Sequence, residues 1–580
     1  MAADLSNSEL AAALDELGDL NELDGAIVHR VVAYRTAAKA IRESPRPVAP
    51  LVRAGTVTEL PGIGRTLEEK LTALLDTGTI PAAEKLRAKF PPGVVAMTRL
   101  PGLGPKRARR LYDELGVDSL DALREAAQAE RIRDLNGFGP KAEASILEAL
   151  DAGAGDAPRA RVALPTALET GEQILRGLLD EPAVERVELA GSARRGVDSV
   201  KDLDVVVASQ DPAAVVAAFA ALDVIASSER GGEAGARGRT QNGLDVDLRI
   251  VPPDRFGNLL QHFSGSKAHN VHLREMAVRR GLHVSEHGIL DDATGETHRF
   301  ATEEEVYAHL GLPYVEPELR EDRGELDPGF EPPDLVSVAD LRGDLHCHTV
   351  ASDGRNTIEE MALAARERGL EYLAITDHSA SHGFGNDVSA DALRRHAEAV
   401  REVGARLDGI TLLAGSEVNV MPDGGLDYED DVLAGLDWVI ASVHTAFRMG
   451  GEQMTARIVR ALEHPLVDAL GHPTGRLIGR RAGYAVDVGA VIDAAARTGT
   501  MLEINSAPDR RDLDDIHARA AAAAAGVRIL IDSDAHRTAT LANTRWGVLT
   551  ARRAWLGPAA VANTLPWAEF ALLRKRVLAA

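Results

Sequence analysis

The chain has 580 residues, 45% of them hydrophobic and 27% charged, with a formal net charge of −24 and one cysteine, Cys347. That length exceeds what one hydrophobic core usually supports and points to about three or four folding units, while the lone thiol rules out an intramolecular disulfide and a cysteine-built zinc cage. No run of about 18 apolar residues occurs and the first ten residues are acidic, so neither a membrane span nor a signal peptide is expected, and the expected location is cytoplasmic.

The first 150 or so residues read as short amphipathic helices punctuated by glycine turns. Three turns share one pattern: Leu60-Pro-Gly-Ile-Gly64, Leu100-Pro-Gly-Leu-Gly104 and Leu135-Asn-Gly-Phe-Gly139, the last two continuing into Pro-Lys. Paired glycines (Gly62 and Gly64, Gly102 and Gly104, Gly137 and Gly139) let the backbone turn tightly and present N–H groups at a helix start, a place for a phosphate. Acidic proteins repel nucleic acid, yet residues 81–111 carry Lys85, Arg87, Lys89, Arg99, Lys106, Arg107, Arg109 and Arg110 against Glu84 alone. The three turns resemble helix-hairpin-helix motifs, which implies that they, with Lys106 and Lys141, grip the backbone of gapped or primed DNA without reading its sequence.

The first hairpin continues as Arg65-Thr-Leu-Glu-Glu-Lys70, and His29-Arg-Val-Val-Ala-Tyr-Arg35 precedes it. On the residues alone Lys70 is a solvated helix lysine. Both segments resemble the small N-terminal domain of DNA polymerase beta, which implies a Schiff-base lyase role for Lys70. Arg30 stands where the animal enzyme has a further lysine.

A Gly/Ala/Asp/Pro stretch at 151–158 ends the helical pattern, and strand-like runs follow at 187–190, 203–207 and 244–251. Residues two apart on a strand face one way, so Asp202 and Asp204 in Lys201-Asp-Leu-Asp-Val-Val-Val207 present two carboxylates together. A third acid comes from Leu244-Asp-Val-Asp-Leu-Arg-Ile250, where Asp245 and Asp247 share one parity and both remain candidates. Three carboxylates holding two divalent ions suit nucleotidyl transfer. Upstream, Gly191-Ser-Ala-Arg-Arg-Gly196 offers backbone N–H groups, the Ser192 hydroxyl and the Arg194 and Arg195 guanidinium groups to phosphates.

This combination resembles the nucleotidyltransferase palm of family X polymerases. The resemblance implies Asp202, Asp204 and Asp247 as catalytic, Mg2+ or Mn2+ as the ions, and deoxynucleoside triphosphates as substrates. Downstream, His262-Phe-Ser-Gly-Ser-Lys-Ala-His-Asn270 and Arg274 match the nucleotide-selecting segment of the fingers. That match implies Phe263 and Gly265 beside the incoming sugar, Asn270 on the base and Arg274 on the template. His262 replaces the family's usual tyrosine.

An acidic, proline-rich stretch at 316–334 reads as a linker. Beyond it, strand-like segments at 343–348, 372–378, 412–418, 438–444, 469–472, 501–505 and 529–536 alternate with helical ones, and nearly all end in polar residues. Seven such β–α units predict a parallel barrel with its functional groups at the C-terminal strand ends. Those ends carry His346, His348, Asp353, His378, Glu417, His444, His472, Asp534 and His536, imidazole and carboxylate without thiolate, which suits zinc, manganese or iron. Cys347 points away between two of them and reads as packing. The series resembles the polymerase and histidinol phosphatase (PHP) domain, which implies up to three ions, Zn2+ or Mn2+, acting on a phosphoester.

The expected fold class is therefore multidomain: an α-helical helix-hairpin-helix region, an α+β nucleotidyltransferase palm with fingers, and a seven-fold β/α barrel. The expected boundaries are a small helical DNA-binding domain at 1–85, a second helical subdomain at 86–155, palm at 156–255, fingers at 256–318, linker at 319–338 and PHP barrel at 339–580. The expected function is gap filling in base excision repair with 3′–5′ exonuclease activity, by a monomer with no membrane partner, and abasic-site cleavage is a possible addition. The rival readings are a small-molecule phosphoesterase with a relic polymerase core, and a non-catalytic DNA-end scaffold.

Overall fold

The computed structural model describes residues 5–44, 46–98, 100, 103–151, 161–231, 235–381, 383 and 387–575. Gly102, Arg99 and nearly all of the 151–158 stretch lie outside the described residues. The chain divides into two compact units: Met1–Val162, Thr166–Leu189 and Lys201–Pro253 form one; Ala163–Pro165, Ala190–Val200 and Asp254–Ala580 form the other.

In the first unit, helix Asn7–Leu23 opens with a capping box in which Ser6 and Glu9 satisfy each other's backbone N–H groups. Its Leu10, Leu14 and Leu17, spaced three and four apart, are fully buried against Ala37, Ala38, Ile41, Leu67 and Leu71. A second helical core gathers Val94, Met97, Leu103, Ala108, Leu111, Leu123 and Phe138. The remainder of the unit is built on a five-stranded sheet in the order Arg186–Leu189, Asp202–Ala208, Asp245–Val251, Gly235–Thr240, Ile225–Arg230. Only the pairing of Asp202–Ala208 with Asp245–Val251 is parallel. The outer hairpin, Ile225–Arg230 with Gly235–Thr240, is not expected from the sequence: five of six residues of its edge strand are exposed, so no apolar alternation marks it.

In the second unit, helices Phe256–Ser264 and Lys267–Val278 precede a three-stranded antiparallel sheet, Leu282–Ser285, Gly288–Asp291 and Thr297–His298, then helix Glu303–His309. The first residues of the segment expected as a linker at 319–338 are packed, whereas 327–334 has no regular structure and is mostly exposed. Leu319 and Arg320 are 0% exposed, Glu325 1% and Leu326 2%. Arg320 lies over the Tyr307 and Tyr314 rings, donates to the Val315 carbonyl and pairs with Glu303. Three of the acids that suggested a solvated linker have specific cationic or imidazole partners: Glu318 meets Arg552 at 2.6 Å, Glu321 meets Arg195 at 3.0 Å and Glu325 meets His269 at 2.7 Å.

The rest is a parallel seven-stranded sheet whose strands follow chain order, Gly343–Cys347, Tyr372–Ile375, Thr411–Asn419, Trp438–Ser442, Ala469–Leu470, Met501–Asn505 and Ile529–Asp532. It closes on itself through a parallel bridge between Cys347 and Ala535. One interior cluster holds Tyr372, Leu413, Trp438, Ile440, Met501, Leu530 and Phe570. Phe570, from the last helix Trp567–Phe570, stacks on Tyr372 at 4.9 Å and so plugs the N-terminal end. Counting by twos from these residues reaches Glu417 from Leu413, His444 from Trp438, Glu503 from Met501 and Asp534 from Leu530. Each inward face therefore begins apolar and ends polar.

Candidate active sites

On the five-stranded sheet the parallel register sets Asp202 opposite Asp245 and Asp204 opposite Asp247. Register partners share a face, and neighbouring strands lie about 4.8 Å apart. The antiparallel neighbour adds Arg239 opposite Asp245 and Arg237 opposite Asp247. Two rows therefore cross the sheet, Arg239–Asp245–Asp202 and Arg237–Asp247–Asp204. Arg249 donates to Asp247 at 2.8 Å, and Arg239 lies 3.5 Å from Asp245. Asp202, Asp245 and Asp247 line a cleft of about 460 Å3. Four carboxylates on one face repel one another, and divalent cations are the natural neutralisers; the donor set fits them. Asp245 shares the face, so orientation does not separate it from Asp247.

In the second unit the Gly191-Ser-Ala-Arg-Arg-Gly196 turn forms the short helix Gly191–Arg194. Its arginines are engaged within the protein: Arg194 with Ser264 Oγ at 2.6 Å and Glu303 at 2.7 Å, Arg195 with Glu321 at 3.0 Å and the Ser264 carbonyl at 3.0 Å. The N–H groups of Arg194, Arg195 and Gly196 donate to the Ala190, Gly191 and Ala193 carbonyls, which leaves Ser192 and the N–H groups of Gly191 to Ala193 as the parts of the expected set that face no such commitment. Asn270 is used likewise, its amide donating to the His262 carbonyl at 2.7 Å and the Gly265 carbonyl at 3.2 Å while Gln261 donates to its oxygen. A Cβ at Gly265 would lie 2.6 Å from that oxygen, so this turn beside Phe263 needs glycine. Arg274 is exposed and donates to the Asn270 carbonyl.

The hairpin glycines divide into two kinds. Gly62 and Gly137 have φ of 80° and 83°, a conformation open to glycine at little cost. Gly64 and Gly104 cap helices Arg65–Thr77 and Pro105–Leu115, Gly139 precedes helix Pro140–Asp151, and a Cβ on any of the three would meet nothing within 4 Å. Packing does not demand glycine there, and a closely approaching backbone would. Lys106 and Lys141 are exposed. Much of the basic run is neutralised locally: Arg87 pairs with Glu16 at 2.7 Å, Lys89 with Asp24 at 2.7 Å, and Arg109 and Arg110 with Asp113 and Glu114 at 2.6 Å. Lys70 is half-buried on helix Arg65–Thr77.

All nine expected ligands converge at the C-terminal end of the barrel. Three sets have ligand atoms within 4.8 Å of one another: His348, Asp353, His378 and His536; His346, His348 and Asp534; His378, Glu417 and His444. Glu417 is central, 2.8 Å from His378, 2.9 Å from His472, 3.2 Å from His444 and 3.4 Å from His346. His346 Nε2, His348 Nδ1 and His472 Nδ1 are buried without a hydrogen-bond partner. Buried polar atoms are normally satisfied, so these orphans and the thiolate-free donor set fit divalent ions.

Burial alone would lower the imidazoles of His346, His348, His378, His472 and His536. Carboxylates override it at His346, raised well above the usual value, at His378, raised to about 10, and at His536, raised to about 9. His348 is lowered to about 4 by burial and by His536 and His378, and His472 to about 3 by burial and Arg510. Burial would raise Glu417 too, but His444, His346 and His378 hold it well below the carboxylate range.

Glu503 is not among the residues expected from the sequence. It is fully buried, lies 2.7 Å from His346 Nδ1 and accepts from the His472 N–H, so it turns His346 Nε2 toward Glu417. The available signal is its parity with Asn505 inside Met501–Asn505. Asp344 and Asp532 lie one step deeper than His346 and Asp534. Burial raises Asp344 to about 6 and, with the Asp344 charge, Asp532 well above the carboxylate range. His472 and Asp534 have φ of 27° and 51°, left-handed backbone that is uncommon for such residues and concentrates at functional sites.

Four family descriptions match in chain order: "Helix-hairpin-helix domain" at 5–80, "SAM-like Helix-hairpin-helix tandem" at 94–152, "DNA polymerase beta thumb" at 259–321 and "PHP domain" at 344–507. The segment expected as fingers therefore corresponds to what that family terms the thumb. Over 553 residues, 95% of this chain and 96% of the relative, the chain is 36% identical to the "DNA polymerase/3'-5' exonuclease PolX" of Bacillus subtilis. A protein named probable phosphatase from Caldanaerobacter subterraneus subsp. tengcongensis is 32% identical over 33% of this chain and 75% of its own length. Another, from Shewanella sediminis, is 31% identical over 40% of this chain and 94% of its own length. Two carboxylate rows, helix-hairpin-helix matches, a thumb, a barrel whose C-terminal end gathers imidazoles and carboxylates, and likeness from end to end place the chain in the bacterial family X polymerases that carry a C-terminal PHP domain.

Proposed function

We propose that the protein is a DNA-directed DNA polymerase that fills short gaps during base excision repair and trims 3′ ends with its barrel as a 3′–5′ exonuclease. The observation that carries the reading is that both acid and imidazole sets are complete in one chain, on strands whose register or parity turns them to one face. We assign 1–85 and 86–155 to DNA binding, 156–255 to the palm, 256–318 to the nucleotide-selecting thumb and 339–580 to the exonuclease.

Divalent ions, Mg2+ or Mn2+ on Asp202, Asp204 and Asp247 and up to three Zn2+ or Mn2+ in the barrel, supply Lewis acidity, an activated hydroxyl or water, and charge neutralisation when bound. The protein's own part is orientation. Arg249 holds Asp247, the Gly191–Arg194 turn with Ser192 meets the triphosphate, and Asn270, Phe263 and Gly265 bound the nucleotide. Arg274 contacts the template, and Gly62, Gly64, Gly102, Gly104, Lys106, Gly137, Gly139 and Lys141 hold the DNA backbone. In the barrel Glu503 fixes the His346 ring, and His348 and His472, neutral at pH 7, offer lone pairs.

A one-nucleotide-gapped duplex labelled at the primer 5′ end, with deoxynucleotides and Mg2+ or Mn2+, tests this. Extension lost only in Asp202→Ala and shortening lost only in Asp534→Ala is the expected result. A wild-type protein that never lengthens the primer overturns it. The phosphatase-named relatives favour one alternative for the barrel, hydrolysis of a small phosphomonoester, which predicts release of phosphate from such a compound with no DNA dependence.

A further inference from the structure

Arg511 is the strongest unexplained residue in the second unit. It belongs to the loop between strand Met501–Asn505 and helix Asp515–Ala523 of the barrel, is 0% exposed and has φ of 46°. A guanidinium is among the costliest groups to bury, and burial is tolerated only when its donors are matched. Those donors are turned to the end of the Gly191–Gly196 turn: Nη2 donates to the Gly196 carbonyl at 2.9 Å and Nη1 to the Val197 carbonyl at 3.2 Å, while Nε donates to Thr550 Oγ1 at 2.9 Å. Its Nη1 also lies 3.4 Å from Asp198.

Two further barrel arginines act on the same segment. Arg553 donates to the Arg195 carbonyl at 2.7 Å, and Arg476 donates to Asp198 at 2.7 Å and to the Arg510 and Arg511 carbonyls. Gly196 itself, with φ of 72°, leaves no room for a side chain, since a Cβ would lie 2.7 Å from Leu549 of helix Thr544–Arg553. Three carbonyls and one carboxylate in succession, residues 195–198, are thus held by cations that belong to the phosphoesterase barrel. The segment runs on in sequence to Asp202. An apolar side chain would fill the space of Arg511 as well, but would leave the Gly196 and Val197 carbonyls without these donors.

We propose that Arg511 of the PHP domain is a positioning residue for the polymerase reaction, holding the Gly191–Gly196 turn in the geometry that receives the nucleotide triphosphate. The inference rests on the polymerase reading above. It makes the barrel a structural partner in synthesis, so that a polymerase core without its barrel has a loosened nucleotide turn.

The test uses full-length wild type, Arg511→Met, Arg511→Lys and Asp198→Ala, titrating one deoxynucleotide on the gapped duplex and measuring 3′ shortening in parallel. Arg511→Met is expected to raise KM for the nucleotide about tenfold, with kcat and the shortening rate each within about twofold of wild type. Arg511→Lys, which keeps the charge and reaches one carbonyl, is expected to recover part of the loss. Unchanged KM in a folded Arg511→Met protein overturns the inference, and so does a parallel fall of extension and shortening, which marks a structural role. If Arg511→Met does not fold, Asp198→Ala decides, with a rise of about threefold expected and an unchanged KM overturning the inference. Wild type that does not extend primers overturns the polymerase reading instead.

Discussion

Glu503 shows how much of the candidate metal site lies behind the residues that face it. Its carboxylate meets His346 Nδ1 and the His472 backbone N–H, so one buried acid sets the His346 ring and ties down the backbone at His472. Glu503→Gln keeps the shape but weakens the hold on His346. Shortening of a labelled 3′ end is expected to fall about 10- to 100-fold, with looser metal binding by calorimetry; an unaltered rate would remove Glu503 from the site. At Lys70 the lyase reading predicts that borohydride traps a covalent complex with DNA bearing a 5′ abasic sugar, and that Lys70→Ala abolishes the trap. Persistence of the complex in that variant assigns the amine elsewhere. The nine expected residues stood out because most of them are imidazoles or acids in or just beyond the last residues of an apolar strand. Glu503 did not, because it is a single acid within Met501–Asn505 with no neighbouring histidine in sequence to draw attention to it.

At the level of elements, the segment from helix Glu303–His309 to Arg320 carries a buried charge cluster. Glu303 is 4% exposed and meets both Arg194 and Arg320. Burial would raise its pKa, but the two arginines lower it below the ordinary 4.5. A depressed carboxylate contributes stability that is complete above its unfolded value and lost as pH falls through the folded one. Glu303→Gln is therefore expected to cost about 3–5 kcal/mol at pH 7, by leaving two guanidinium groups without their anion. The gap from wild type in denaturant melts should shrink below pH 4.5, and a gap that stays constant from pH 7 to pH 3 refutes the assignment. Composition does not reveal the packing of 318–326, because the partners of Glu318, Glu321 and Glu325, which are Arg552, Arg195 and His269, lie far away in sequence. The barrel strands were legible for the opposite reason, since each is a local apolar run.

Across the molecule, the buried imidazoles and carboxylates gathered at the C-terminal end of the barrel form donor sets that fit divalent cations. Mn2+ at about 100 times its dissociation constant should stabilise the protein by about 2.7 kcal/mol per site, seen as a raised melting temperature. Glu417→Gln should lose most of that shift, and an equal shift in variant and wild type would place the ions elsewhere. The order of the folding units, the helical hairpins, the Asp202–Asp204 pair and the histidines and acids that gather at the barrel's C-terminal end were legible in the sequence alone, because spacing by two, glycine turns and strand-end histidines are local patterns. Tertiary structure alone decided three things: the in-register rows that set Asp204 beside Asp247, the packing of the supposed linker, and the grip of Arg511 on the Gly196 and Val197 carbonyls. Each joins residues distant in the chain through pairing or buried charge, and no local pattern encodes such partners.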